Sequence, residues 1–352
     1  MLQAILDGGH EVHYLRLEDA GRKLEGRSLP EGTQVVEWKG GKGKFRWRDS
    51  FSLALDLKRI LVYVEPDIIH AGPIQTVGFI AALTGFHPLV SMSWGFDLMT
   101  HADKNFAYRW LTRNVLAKSD WLFGDCKAVL NRAAEFGYDI SRSTYFPWGV
   151  DLTHFTPGEN TRLAESLGWK DAFILFCNRS WEPPYGVEDV ARAFVKAVET
   201  NPNLRLLLPG SGSLGPEIRG ILQEGGVLDK VHMPGQVSFN DLPEYYRAAD
   251  LYVSASHTDG SSVSLMEALA CGLPALVSDI PGNREWVTPG DQGWIFPDRD
   301  SDRLAELMVK ASQARVDLAV MSLKARHKAE LNADWKINQQ RLLDGYRAVL
   351  AK

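Results

Sequence analysis

The sequence predicts an α/β protein made of two doubly wound domains that face one another across a cleft. Three observations carry that reading. A chain of 352 residues is longer than one ordinary α/β core organises, and it suits two domains of roughly 150–180 residues each. Short β-rich runs alternate with amphipathic stretches, the pattern of parallel sheets covered by helices. Between two such series, residues 146–158 have no period and contain Pro147 and Pro157, which reads as a linker. The expected domains are 1–150 and 151–352, with the last helix free to return to the N-terminal domain.

The elements follow in order. Residues 1–10 read as the end of a helix and a turn at Gly8 and Gly9, followed by a strand at 11–17. A domain of this type normally begins with a strand and a glycine-rich loop, so the N-terminal sheet is expected to lack its first strand. Further strands are expected at 67–70, 89–93 and 121–124. The second series has strands at 173–177, 205–208, 231–233, 251–254, 275–277 and 293–296. Between the first two of these, 187–199 is a helix with apolar positions at Val187, Val190, Ala191, Phe194, Val195 and Val198. Residues 302–350 read as one long helical stretch. Ligands of such folds gather at the C-terminal ends of the strands.

Composition narrows the function classes. Apolar residues at 45% and charged residues at 24% fit a globular protein. A net charge of −5 argues against general nucleic-acid binding. Eleven Trp suit flat ligands such as bases or sugar rings. The first 150 residues carry 18 basic against 17 acidic side chains, and basic character concentrates in KGGKGKFRWR at 39–48. Its Lys and Arg interleave with Trp38, Phe45 and Trp47, a pattern suited to anionic lipid headgroups. Cys126, Cys177 and Cys271 fit neither a disulfide framework nor a zinc motif, and no run of ~20 apolar residues suggests a span. The expectation is a cytoplasmic protein in which 39–48 is either a solvated loop or a peripheral contact at the inner membrane face.

The most informative run is SHTDGSSVSLMEALACGLPALVS at 256–278. It reads as a strand end, a small polar loop, a helix from about 262, a stop at Gly272 and another strand. Ser261 or Ser262 caps the helix, whose first N–H groups and dipole form an anion site suited to a diphosphate. Asp259 lies just before this site, and a carboxylate there would repel a phosphate unless it points elsewhere, for instance at sugar hydroxyls. Glu267 lies over a turn inside the helix.

This run, D-x7-E from Asp259 to Glu267 followed by A-x-G-x-P, resembles the E-x7-E signature of the family-4 retaining glycosyltransferases (glycosyl transferases group 1). The resemblance implies the GT-B fold, two Rossmann-like domains facing a cleft. It implies that Asp259 holds the donor sugar, that Glu267 holds the ribose, and that N–H groups of Ser261, Ser262, Val263 and Ser264 meet the diphosphate. It extends over most of the chain. Gly210-Ser211-Gly212 resembles the family's G-x-G turn. VHMPGQV at 231–237 resembles the strand leading to the nucleobase, with backbone near Gln236 and Val237 on the base. DIPGNREWV at 279–287 and WGVDLTHFTP at 148–157 also match.

Departures qualify it. The family's R-x5-K-G reads Arg179 to Gly186 here, with Tyr185 where Lys is expected, so leaving-group charge falls mainly to Arg179. The run SWGFD at 93–97 resembles H-G-x-D, with Trp94 for His and Asp97 retained. Gly9 to Val12 matches the family's G-H-E-V, which puts the family's first strand and glycine loop ahead of residue 1. His70, ending a strand, either lines the acceptor and sugar side with Trp94 and Asp97 or is a hydrogen-bonded structural histidine. Asp298-Arg299-Asp300 has D-x-D form but reads as a polar turn. His spacing offers no zinc site, and no G-x-G-x-x-G supports a dinucleotide dehydrogenase.

The resemblance implies transfer from a nucleotide sugar, by family weight a UDP-sugar, to a hydroxyl of a glycan or lipid-linked acceptor. Retention, no metal and no cofactor beyond the donor are implied with it. The alternatives are a catalytically impaired nucleotide-sugar-binding protein or an N-terminally truncated enzyme, and a GT-B epimerase or phosphorylase. Oligomeric state is not legible.

Overall fold

The computed structural model describes residues 1–17, 28–158 and 161–351. The chain forms two compact units, Met1–Phe146 with Lys336–Lys352, and Pro147–Trp335.

In the first unit, helix Leu2–Asp7 precedes β1 (Val12–Tyr14), which pairs in parallel with β2 (Thr33–Val35). Helix Ser50–Val64 leads to β3 (Ile69–Ala71), β4 (Leu89–Met92), β5 (Trp121–Gly124) and β6 (Ser143–Tyr145). These four strands form a second parallel sheet in chain order. Every position of β4 and β5 is buried, as expected where helices cover both faces of a parallel sheet. The N-terminal strands therefore fall into two separate sheets. β2 and β6 are absent from the sequence reading, because three-residue strands with exposed or half-buried side chains carry no clear alternation.

Helix Trp335–Leu350 supplies Leu342, Leu343, Tyr346 and Val349 to the first unit. Gly345 permits the approach, since a Cβ there would sit 2.4 Å from the Phe123 ring. Lys336–Lys352 thus belongs to the same compact unit as the N-terminal residues. The expected long stretch at 302–350 is three helices, Ser301–Gln313, Arg315–Asn332 and Trp335–Leu350.

The second unit is a six-stranded parallel sheet of β7 (Phe173–Phe176), β8 (Leu204–Leu207), β9 (Val231–His232), β10 (Leu251–Ser254), β11 (Ala275–Ser278) and β12 (Gly293–Phe296). Its order is β12-β11-β10-β7-β8-β9. The chain winds outward through β8 and β9, then crosses back to β10 and winds the other way. The reversal falls between β7 and β10, and at such a switch point loops diverge and leave a crevice. The linker run is firmly held: Val150 N donates to Ala333 O (2.8 Å), and Arg326 Nη1 donates to the carbonyls of Phe155 (3.0 Å) and Ala270 (2.7 Å). Among the described residues no helix is long and apolar enough to cross a membrane.

Candidate functional site

The loops after β7 and β10 each bring one charge to the switch point. Arg179 lies three residues beyond β7 and Asp259 five beyond β10. Arg179 Nη2 donates to Asp259 Oδ2 at 2.6 Å, and Arg179 Nη1 donates to Ser262 Oγ (2.8 Å) and Ser264 Oγ (2.9 Å). The side chains of the pair are only 11% and 17% exposed. Burial acts to lower the Arg179 pKa. Asp259 outweighs it, with help from Tyr252, Tyr185 and Cys177, and the guanidinium stays above its ordinary value.

Asp259 thus points at Arg179, not away from the anion site as its charge alone suggested. A guanidinium so removed from water needs a counter-charge, and the shorter Asp side chain supplies it. Tyr185 joins the same cluster. Its ring lies under the guanidinium, 4.2 Å from Arg179 Cζ, so it meets Arg179 through its face, a contact worth about 0.5–2 kcal/mol.

The helix Val263–Ala270 begins at this cluster. Ser262 is its N-cap, accepting from Leu265 N, while the first N–H groups have no partner inside the helix. Val263 is 40% exposed, so the helix start opens on solvent. Ser261 is buried and accepts from Trp286 Nε1 (3.3 Å), which makes its side chain a packing group.

One turn on, Glu267 is 7% exposed and accepts from Tyr246 OH at 2.7 Å. Burial first, and then Glu267, push the Tyr246 phenol well above its ordinary value, so it keeps its proton. The same hydroxyl reaches Ser264 O (2.9 Å) and accepts from Asn178 Nδ2 (2.9 Å). Tyr252 OH donates to Ser264 Oγ at 2.8 Å. Tyr246 and Tyr252 escaped the sequence reading. Their one signal was that a Tyr in an apolar strand or helix face needs a partner for its hydroxyl.

The loops after β7, β8 and β9 interlock. Gly210 has φ +136, and a Cβ there would lie 3.0 Å from Trp181 Nε1. Gly210 N donates to Gly235 O (2.8 Å), and Gln236 Nε2 donates to Ser211 Oγ (3.2 Å). Gln236 is exposed and Val237 half-buried. Asp298 meets His257 Nδ1 at 2.7 Å and Asp300 caps helix Ser301–Gln313, which are structural tasks for that polar turn.

The N-terminal candidates lie in the first unit. Asp97 is fully buried and accepts from Ile74 N (2.9 Å), Ser93 Oγ (2.5 Å), Trp94 N (3.1 Å) and Leu98 N (3.0 Å). Burial pushes its carboxyl up against these donors. The expectation of a sugar-side contact is corrected, because both its oxygens are taken in pinning the loop that presents Trp94, which is 47% exposed. His70 takes the structural course of its two expected ones. Its ring stacks on Phe123 (5.5 Å) and its Nδ1 meets Tyr346 OH (2.5 Å), and burial lowers its pKa to about 4. It is a neutral packing group.

Comparison with known proteins matches this geometry to a family. The model for "Glycosyl transferases group 1" matches residues 160–330 and that for "Glycosyl transferase 4-like" matches residues 1–125. The chain belongs to the group 1 glycosyltransferase family. Among its relatives is the GDP-mannose-dependent monoacylated alpha-(1-6)-phosphatidylinositol monomannoside mannosyltransferase of Corynebacterium glutamicum, 27% identical over 56% of this chain and 54% of that one. Another is the D-inositol 3-phosphate glycosyltransferase of Geodermatophilus obscurus, 29% identical over 66% of this chain and 54% of that one. The matches thus span about half the length of these relatives.

Among solved structures, the sucrose-phosphate synthase of Thermosynechococcus elongatus superposes with a TM-score of 0.85 at 18% identity, covering 99% of this chain and 92% of that one. Anabaena HepE in complex with UDP gives 0.76 at 17% identity, covering 90% and 87%. At these identities the likeness shows the fold, which is GT-B.

Proposed function

We propose that this group 1 family member is a retaining glycosyltransferase that moves a sugar from a nucleoside diphosphate sugar, with UDP as carrier, to a hydroxyl of a glycan or lipid-linked acceptor. The observation that carries the reading is the cluster of Arg179, Asp259, Ser262 and Ser264 at the start of helix Val263–Ala270, at the point where strand order reverses. A cation and open helix N–H groups at one place suit a diphosphate. The names of the relatives and the UDP bound to HepE point the same way.

On this reading Arg179 and the N–H groups of Val263 and Ser264 take up the charge that develops as the bond from sugar C1 to the phosphate oxygen breaks. The acceptor oxygen bonds to C1 on the same face, and its proton passes to the departing phosphate oxygen. Asp259 holds donor-sugar hydroxyls, Glu267 holds the ribose, and backbone near Gly210, Gln236 and Val237 meets the base. Trp94 offers an exposed ring on the acceptor side. Nothing in these roles calls for a metal.

The test is calorimetric titration with UDP and GDP, followed by turnover of UDP-sugars with anomeric configuration read by NMR. Saturable UDP binding with an axial-to-axial product is expected, and failure to bind either nucleotide would sink the proposal. A second reading, a donor-binding protein without turnover, is favoured by one observation. The neutral Tyr185 ring occupies the place where the family carries an ammonium. UDP binding with no transfer to any acceptor would decide for it.

A further inference from the structure

The basic run 39–48 is a built structure. Trp38 is 7% exposed and donates through Nε1 to Arg16 O at 2.5 Å, which ties the chain after β2 to the chain after β1. Its ring packs with Leu53, Ala54 and Ile80 in a small core of its own. Gly40 lies flat on that ring, since a Cβ there would fall 2.3 Å from it. Asp56 Oδ2 accepts from Lys39 N (2.9 Å), fixing the start of the turn to helix Ser50–Val64. This anchoring holds the segment around a cavity of about 420 Å³.

Among the described residues, the lining of that cavity carries Lys39, Lys42, Lys44 and Arg46 against one acid, Asp49. Asp49 is engaged by Arg46 Nε at 2.9 Å. Three lysines therefore converge on one concave space that follows the C-terminal end of a parallel strand, the side on which α/β folds take up ligands. Lysine is a point donor suited to phosphate oxygens from several directions. Next to it, the Trp47 ring reaches Phe79 (6.3 Å) and Tyr108 (5.7 Å). Phe79 in turn lines an apolar groove of about 250 Å³ with Phe51, Leu83 and Trp110. A charged cavity beside an apolar groove suits a molecule with an anionic head and a hydrocarbon part.

We propose that this cavity is a phosphate-binding site that holds the phosphate group of the acceptor, so that the acceptor is a phosphorylated molecule. The acceptor role rests on the glycosyltransferase reading above, whereas the phosphate site does not. A bilayer headgroup and a soluble phosphate ester offer the same chemistry.

The experiment measures binding directly and needs no turnover. The full chain is titrated with glycerol 3-phosphate by calorimetry. It is also floated with vesicles of phosphatidylcholine alone or mixed with phosphatidic acid. The parent protein is compared with the triple variant Lys39→Gln, Lys42→Gln, Lys44→Gln and with the matching triple Arg variant. The Gln variant is expected to lose about fivefold per lysine, on the order of a hundredfold in all. The Arg variant is expected to bind as the parent does. Binding to acidic vesicles alone identifies a lipid source, binding to glycerol 3-phosphate alone a soluble source, and both outcomes support the site. Equal binding by parent and Gln variant overturns it, as does no preference for either phosphate probe. UDP titration of the parent keeps the donor-site reading separate, since failure of the parent to bind UDP refutes that reading and leaves the phosphate site standing.

Discussion

Replacing Asp259 with Asn separates the structural role of the carboxylate from its proposed catalytic one. In the native chain Asp259 and Arg179 meet at 2.6 Å with 17% and 11% side-chain exposure. The pair lies between a surface ion pair, worth about 0–1 kcal/mol, and a fully buried one, whose disruption costs about 3–5 kcal/mol. Arg179 keeps two serine hydroxyls and the Tyr185 ring, so it is not stranded. We expect a stability loss of about 1–3 kcal/mol, seen as a fall in Tm of roughly 3–10 °C for a unit of this size. Nucleotide affinity should hold or rise, because the carboxylate no longer competes with a diphosphate for the same guanidinium. Turnover should fall by about ten- to hundredfold, the worth of a hydrogen bond to a charged group at the donor sugar. Circular-dichroism melts, UDP calorimetry and a transfer assay on one preparation read all three. UDP affinity weakened tenfold with an unchanged Tm would refute the counter-ion argument.

Other outcomes follow from neighbouring contacts. Glu267→Ala should weaken UDP binding by roughly 1.5–3 kcal/mol through the lost ribose contact, and unchanged calorimetric affinity would reject that role. Tyr246→Phe removes a donor to Glu267 and the acceptor of the Asn178 amide. A stability loss of about 2–4 kcal/mol is expected in denaturant titrations, larger than for Tyr252→Phe, which loses only the bond to Ser264 Oγ. His70 has its folded pKa lowered to about 4 by burial, below the ordinary value of about 6.5 in the unfolded chain. Above about pH 6.5 both states are neutral, and protonation then favours the unfolded chain increasingly down to about pH 4. The native chain should therefore lose about 3 kcal/mol over that window, and His70→Asn should lose less, as melts at pH 7.5 and 4.5 would show.

The second unit was legible because its signals are local. Its six strands are short apolar runs bounded by turns, and the Ser262 cap, the helix start and the stop at Gly272 lie within eleven residues of one another. The N-terminal strands β2 and β6 were not legible, since three half-exposed residues carry no period. The ion pair of Asp259 with Arg179 was not legible, because the two lie 80 positions apart. His70 stayed open between two roles for the same reason, its partner Tyr346 lying 276 positions away on the returning helix.

The chemical inventory of this protein is therefore set by its sequence: Arg179, Asp259 and Glu267 at family spacing, Tyr185 and Trp94 in place of a lysine and a histidine, and a lysine-rich turn at 39–48. Tertiary structure alone decided what those groups face. It turned Asp259 onto Arg179, laid Tyr185 beneath the guanidinium, spent Asp97 on a loop and closed the lysines around a cavity. Periodicity and capping act between residues a few positions apart. The counter-charge for a guanidinium withdrawn from water comes from whichever loop the sheet order brings beside it.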